Sequence, residues 1–88
     1  MAGERLVQLG MKHLGLKERD MVESKKNDVR KQALGWWVRR RTSVGVEWIC
    51  GRLALGHRSN MARAVRLFET GADGEVRRTK KEMMKCTD

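Results

Sequence analysis

Residues 42–68, TSVGVEWICGRLALGHRSNMARAVRLF, decide how the fold is read. Val46, Ile49 and Leu53 recur at i, i+3 and i+7 and predict a short helix over 45–53, for which Thr42 and Ser43 offer an N-cap. Met61, Ala64, Val65 and Phe68 form the inner stripe of a second helix over 59–69, capped or opened by Ser59. Residues 54–58 make the turn between them, with Gly56 as its glycine. Two short helices joined by a tight glycine-containing turn are what a helix-turn-helix requires, the first bracing a second that lies in the major groove.

The outer face of the second helix sharpens that expectation. A helical wheel puts Ser59, Arg63 and Arg66 opposite Met61, Val65 and Phe68, with Asn60 and Leu67 beside them. Arginine can donate two parallel bonds to guanine and asparagine can do the same to adenine, while free N–H groups at a helix N-terminus suit phosphate. Arg58, Ser59 and Asn60 stand at that end. Arg39, Arg40 and Arg41, followed by the hydroxyls of Thr42 and Ser43, suit the sugar-phosphate backbone and would position rather than specify. The bland alternative is a solvated helix face, which arginines on a short amphipathic helix often are.

Working outward, Leu6, Leu9, Gly10, His13 and Leu14 share one side of a helix over 4–16 that Gly15 would stop. Residues 17–22 suggest a single helical turn whose Met21 and Val22, with Leu16, cap the core, and residues 23–26 read as a linker. Asn27 or Asp28 is a fitting N-cap for a helix to Arg41 that buries Val29, Ala33, Trp36 and Trp37. Trp36, Trp37 and Trp48 could stack on bases, but their place on or beside apolar stripes makes them core. Residues 70–88 are read as a basic, mobile tail, with a frayed helix over 75–85 as the alternative. The expected fold is therefore all-α: a small bundle of four to five helices in one domain, 1–69, containing a Trp-repressor-like helix-turn-helix at about 45–69.

Composition agrees with this. The 88 residues contain no proline and only 5% aromatics, and are rich in good helix formers. Twenty Lys and Arg against eleven Asp and Glu leave a net charge of +9, which suits a polyanionic partner, nucleic acid first. That charge is concentrated: residues 28–69 carry nine basic and three acidic side chains, against six and four before them and five and four after. With no long apolar stretch and no helix separating a basic from a bulky apolar face, a membrane is not expected. Met1 and the residues behind it make neither a signal peptide nor a myristoylation motif, so a cytoplasmic setting is expected. Cys50 and Cys86 read as free thiols, and they and the distant His13 and His57 give no metal-ligand spacing. No paired carboxylates or activated nucleophile can be assembled, so neither an enzyme, a cofactor nor a small-molecule substrate is expected. The competing class is a protein-interaction or self-association module, favoured by the tryptophan-rich helix and the small core.

A resemblance is carried by Asn27-Asp28-Val29-Arg30-Lys31, Ala33-Leu34-Gly35-Trp36-Trp37-Val38-Arg39, Thr42-Ser43-Val44, Glu47-Trp48-Ile49, Arg52-Leu53, Leu55-Gly56-His57, and Ser59-Asn60 through Ala64-Val65. In this order and spacing they resemble the C-terminal region of REP-associated tyrosine transposases. The second half is more distantly similar to the DNA-binding domain of the replication initiator DnaA, a helix-turn-helix of Trp-repressor type. The likeness spans roughly residues 4–69, including Leu14-Gly15-Leu16. It implies an accessory DNA-binding domain, not the catalytic one. Those transposases cut single-stranded DNA with a metal-binding histidine pair flanking one hydrophobic residue and a tyrosine nucleophile, and this chain has no tyrosine and no such pair.

Overall fold

The computed structural model describes residues 2–23, 28–71 and 73–86. Six helices follow one another: α1 (Ala2–Leu14), α2 (Glu18–Glu23), α3 (Val29–Arg41), α4 (Val46–Arg52), α5 (Arg58–Thr70) and α6 (Gly74–Met84), with no strand among the described residues. The all-α bundle is as expected, with one helix more than four to five.

Helix α3 is the axis. Asp28 starts it by accepting the Arg30 N–H at 2.9 Å, and α1, α4, α5 and α6 all pack on it. Every residue from Lys31 to Val38 is consequently buried, a run longer than two helical turns and wider than the expected Val29, Ala33, Trp36 and Trp37 stripe; Val29 itself is only half-buried. A helix wrapped on all sides shows no amphipathic period, so pattern reading finds only part of its buried surface. Trp36 stacks on Phe68 of α5, ring centroids 5.6 Å apart. Two glycines set close approaches: a Cβ on Gly10 would overlap Leu34 Cδ1, and one on Gly35 would lie 3.1 Å from Met61 Sδ.

The buried side of α1 is rotated from the expected one. Gly3, Leu6, Val7, Gly10 and Met11 face the core, Leu9 and Leu14 are half-buried, and His13 is outside, where its Nε2–H donates to the Glu82 carbonyl at 2.6 Å. Docking through Gly10 against Leu34 and Trp37 selects this face. Gly15, in left-handed geometry at φ 72°, ends α1, and the Leu16 N–H reaches back to the Met11 carbonyl at 2.8 Å. Helix α4 ends in the same way, the Leu55 N–H donating to the Cys50 carbonyl at 2.9 Å, but here Ala54 takes the left-handed position at φ 53°. Lys31, fully buried, reaches across from α3 and donates from Nζ to the Ala54 carbonyl at 3.2 Å and to the Met21 carbonyl of α2 at 2.7 Å. A buried ammonium is tolerated because carbonyls replace its water, and these bonds tie α2 and the α4–α5 connector to the core.

Three capping expectations are corrected. Thr42 closes α3 instead of opening α4: its N–H and its hydroxyl both donate to the Val38 carbonyl, each at 3.0 Å. The residue at the start of α4 is Gly45, which has no side chain to cap with. His57, not Ser59, caps α5, its Nδ1 accepting the Ser59 N–H at 3.1 Å. Of the expected linker and cap, residues 24–27, including Asn27, lie outside the described residues.

Of the two readings of this stretch, tail or helix over 75–85, the helix is the one observed, as α6 over Gly74–Met84. Gly71, in left-handed geometry, ends α5; Asp73 then caps α6 by accepting the Glu75 and Val76 N–H groups, and α6 buries Val76 and Met83 against the bundle. Cys86, in the stretch read as a polar tail, is buried too, its thiol 3.9 Å from the Leu9 carbonyl, and Cys50 carries a free thiol. The apolar signal is sparse, two residues seven apart, because α6 touches the core along a narrow line. Met83→Ala should therefore cost about 2–4 kcal/mol, and Met84→Ala, at a neighbouring exposed position, under about 0.5 kcal/mol. Equal midpoints for the two variants in urea unfolding would contradict this packing.

Candidate nucleic-acid interface

On α5 the outward residues are Arg58, Ser59, Ala62, Arg63, Arg66, Glu69 and Thr70, all exposed, while Met61, Ala64 and Phe68 are buried. The expected outer face is thus physically present. Arg58 lies 4.0 Å from Glu47, both well exposed, a separation at which attraction in water is weak. Arg58 and Arg66 border a shallow depression with Val46, Met61, Ala62 and Val65, along the flank of α5 that meets α4.

Asn60 is differently employed. It is half-buried, and its Nδ2 donates to the Leu55 carbonyl at 2.6 Å, closing the α4–α5 connector from within. An amide held in that bond braces the turn; it does not lie on the outward face with Arg63 and Arg66. The Ser59 hydroxyl is exposed and 3.0 Å from His57 Nδ1, so it too is engaged with the connector. Gly56, at φ 82°, supplies the backbone reversal a side chain would resist.

Arg39, Arg40 and Arg41 occupy the last turn of α3 and are exposed. Two of them lie over indoles: the Arg40 guanidinium carbon is 5.7 Å from the Trp36 ring centroid, and that of Arg41 is 5.3 Å from that of Trp37. Their stems thus cover the edge of the core while the charge stays at the surface. Thr42 is half-buried; besides its bond to Val38, its oxygen accepts the Val44 N–H at 3.3 Å, leaving the exposed Ser43 as the accessible hydroxyl of the pair.

Charge is segregated through the fold. The N-terminal ends of α3 and α6 meet at a depression lined by Asp28, Val29, Gln32, Leu67, Asp73, Glu75 and Val76, an acidic and apolar surface. Further along both helices, Lys80 Nζ lies 5.5 Å from the Trp36 ring centroid, so α6 runs in the same direction as α3 and carries basic residues beside those of α3. Arg77, Arg78, Lys80 and Lys81 lie in the stretch that reads from sequence as a basic tail or a frayed helix. The signal that would have recovered them is Asp73 as a cap followed by Val76 and Met83 at i, i+7.

One arginine is removed from any such role. Arg52, at the end of α4, grips Glu4 of α1 with Nε at 2.7 Å and Nη2 at 2.9 Å, and holds Glu18 of α2 with Nη2 at 2.6 Å. These bonds, with one from Gln8 at 2.7 Å, pull the Glu4 carboxyl from its ordinary 4.5 to about 2, and they push Arg52 still further up. At Cys50, burial is the main influence and raises the thiol. No helix is long and apolar enough to cross a membrane among the described residues.

No family model matches this chain, and no curated protein or solved structure matches it.

The Arg52 clamp generates a pH dependence. Because the Glu4 carboxyl is depressed on folding, its contribution is complete above pH 4.5 and disappears as pH falls toward about 2. Glu4 is more than a third exposed, so solvent screening limits the effect to about 1 kcal/mol. Arg52→Gln should be less stable than the parent at pH 7 and equal to it near pH 2 by chemical unfolding. A gap that is unchanged between the two pH values would show that the clamp does not act electrostatically.

Proposed function

We propose that this chain is a non-catalytic duplex DNA-binding module in which α4 and α5 act as a helix-turn-helix and α5 enters the major groove. The observation that carries the reading is the outward face of α5, where Arg58, Arg63 and Arg66 project from a helix whose other side buries Met61, Ala64 and Phe68. A helix anchored in this way presents its arginines from a rigid support, as reading base edges requires. Arg39, Arg40, Arg41 and Ser43 would grip the backbone, and the overall charge of +9 would draw the polyanion in. The resemblance to the C-terminal region of REP-associated tyrosine transposases belongs to the same proposal, as does a cytoplasmic setting.

Asn60 and Thr42 enter this reading as residues that hold the interface in shape, given their bonds to Leu55 and Val38. The protein-interaction alternative has less to stand on. Trp36 and Trp37 are buried, Trp48 is half-buried, and the large apolar side chains exposed among the described residues are Val22 and Met84, one at α2 and one at α6.

Titration of a labelled random duplex at two salt concentrations tests the proposal. Arg63→Ala/Arg66→Ala should weaken binding at least about tenfold and lower the salt slope, while Lys12→Ala/Lys17→Ala on the α1–α2 side should change it little. Absence of binding at low salt, or binding indifferent to salt, would sink the reading.

A further inference from the structure

Helix α6 carries four cations, Arg77, Arg78, Lys80 and Lys81. Helical spacing places Arg77, Lys80, Lys81 and Met84 along one flank, around a shallow depression that Gly74 and Arg78 complete. Glu75 and Glu82, seven residues apart, lie along the other flank, and the Glu82 backbone carbonyl accepts the His13 Nε2–H of α1. Glu82 of α6 therefore faces α1, Glu75 borders α3 and α5 at the start of the helix, and Lys80 and Arg77 lie toward Trp36 and the end of α5.

The two cationic segments meet at one ring. Arg40 of α3 and Lys80 of α6 stand 5.7 and 5.5 Å from the Trp36 centroid, and Trp36 in turn stacks on Phe68 of α5. Among the described residues no carboxylate pairs with either cation. Cations in the last turn of a helix compensate its dipole, and that accounts for part of their placement. The indole's own attraction for cations accounts for more, yet two like charges from separate helices at one ring still raise the local positive potential, which an anion relieves.

We infer that the last turn of α3 and the cationic flank of α6 form one phosphate-binding face centred on Arg40 and Lys80, which takes the sugar-phosphate backbone of duplex DNA beside the segment read by α5. The inference rests on the DNA-binding reading above and deepens it: α4 lies along one flank of α5 and α6 along another, so backbone contacts come from an element outside the two-helix motif. Lys81 and Arg77 extend the face along α6. Arg77 also donates from Nε to the Gly71 carbonyl at 3.0 Å, which fixes it beside the α5–α6 turn.

The test is a salt series on the full chain with labelled duplex DNA, comparing the parent, Arg40→Gln/Lys80→Gln and Arg63→Gln/Arg66→Gln. Loss of Arg40 and Lys80 should weaken low-salt binding at least about tenfold and lower the slope of log affinity against log salt by about 2. Because these stems also cover Trp36, two further variants separate binding from folding. Arg40→Lys/Lys80→Arg keeps both charges and should bind as the parent does; Lys81→Gln, at an exposed position clear of Trp36, should lower the slope by about 1. If the slope is unchanged by Arg40→Gln/Lys80→Gln and by Lys81→Gln while Arg63→Gln/Arg66→Gln abolishes binding, the α6 face is refuted and the DNA reading stands. If the parent binds no duplex at low salt, or binds vesicles of anionic phospholipid instead, both fall.

Discussion

The enclosure of α3 is the constraint on which everything else depends. Eight consecutive residues from Lys31 to Val38 have no access to solvent worth the name, so four other helices must be present to cover them. In a chain of 88 residues the buried apolar side chains of α1, α4, α5 and α6 gather around this one helix. The glycines at 10 and 35 serve the same end, because they let α1 and α5 approach an axis already crowded with two indoles. Even the polar residue on the axis works inward: Lys31 spends its ammonium on backbone carbonyls of α2 and of the α4–α5 connector.

From that axis the candidate interface follows by geometry. Phe68 on Trp36 and Met61 beside Gly35 fix α5 along α3. With its inner stripe pinned, Arg58, Arg63 and Arg66 have no option but to face outward. The connector leading into α5 is held by Lys31 from one side and Asn60 from the other, so the pitch of α5 is set by the core and not by the glycine turn alone. The clamp of Arg52 on Glu4 and Glu18 then engages acids of α1 and α2, and Asp28, Asp73 and Glu75 are collected at the N-terminal ends of α3 and α6. Beside the arginines of α5 there remain Glu47, 4.0 Å from Arg58, and Glu69 on the exposed face.

How much of this could be read in the sequence depended on how each helix is exposed. Helix α5 has one dry and one wet face, so its period is plain: Met61, Ala64 and Phe68 are buried and Ser59, Arg63 and Arg66 exposed as read, whereas Val65 and Asn60 are half-buried. Helix α3 is dry nearly all round, and a helix of that kind leaves no period to follow; its boundaries were legible from Asp28 and the arginine run, its full burial was not. Helix α6 is legible only as an alternative to a tail, for the opposite reason: two buried residues at i, i+7 are too few to stand out among the six charged residues of the helix. For the site, composition placed the arginines but not their partners. Asn60 looked like a reader of bases because its type permits it, and only the fold reveals the Leu55 carbonyl within its reach. The caps of α4 and α5 are two or three positions from those read, because Thr, Ser and His side chains can serve either the helix they follow or the one they precede, whereas Asp28 caps α3 as read.

Trp36 has an indole N–H that is buried without a hydrogen-bond partner. Its proton sits at the junction of α3, α5 and α6, shielded from water by Phe68 and by the stems of Arg40 and Lys80. Exchange of that proton for deuterium must wait until these helices part. A single indole resonance thus serves as a clock for the opening of the whole molecule, separable from fraying at its ends.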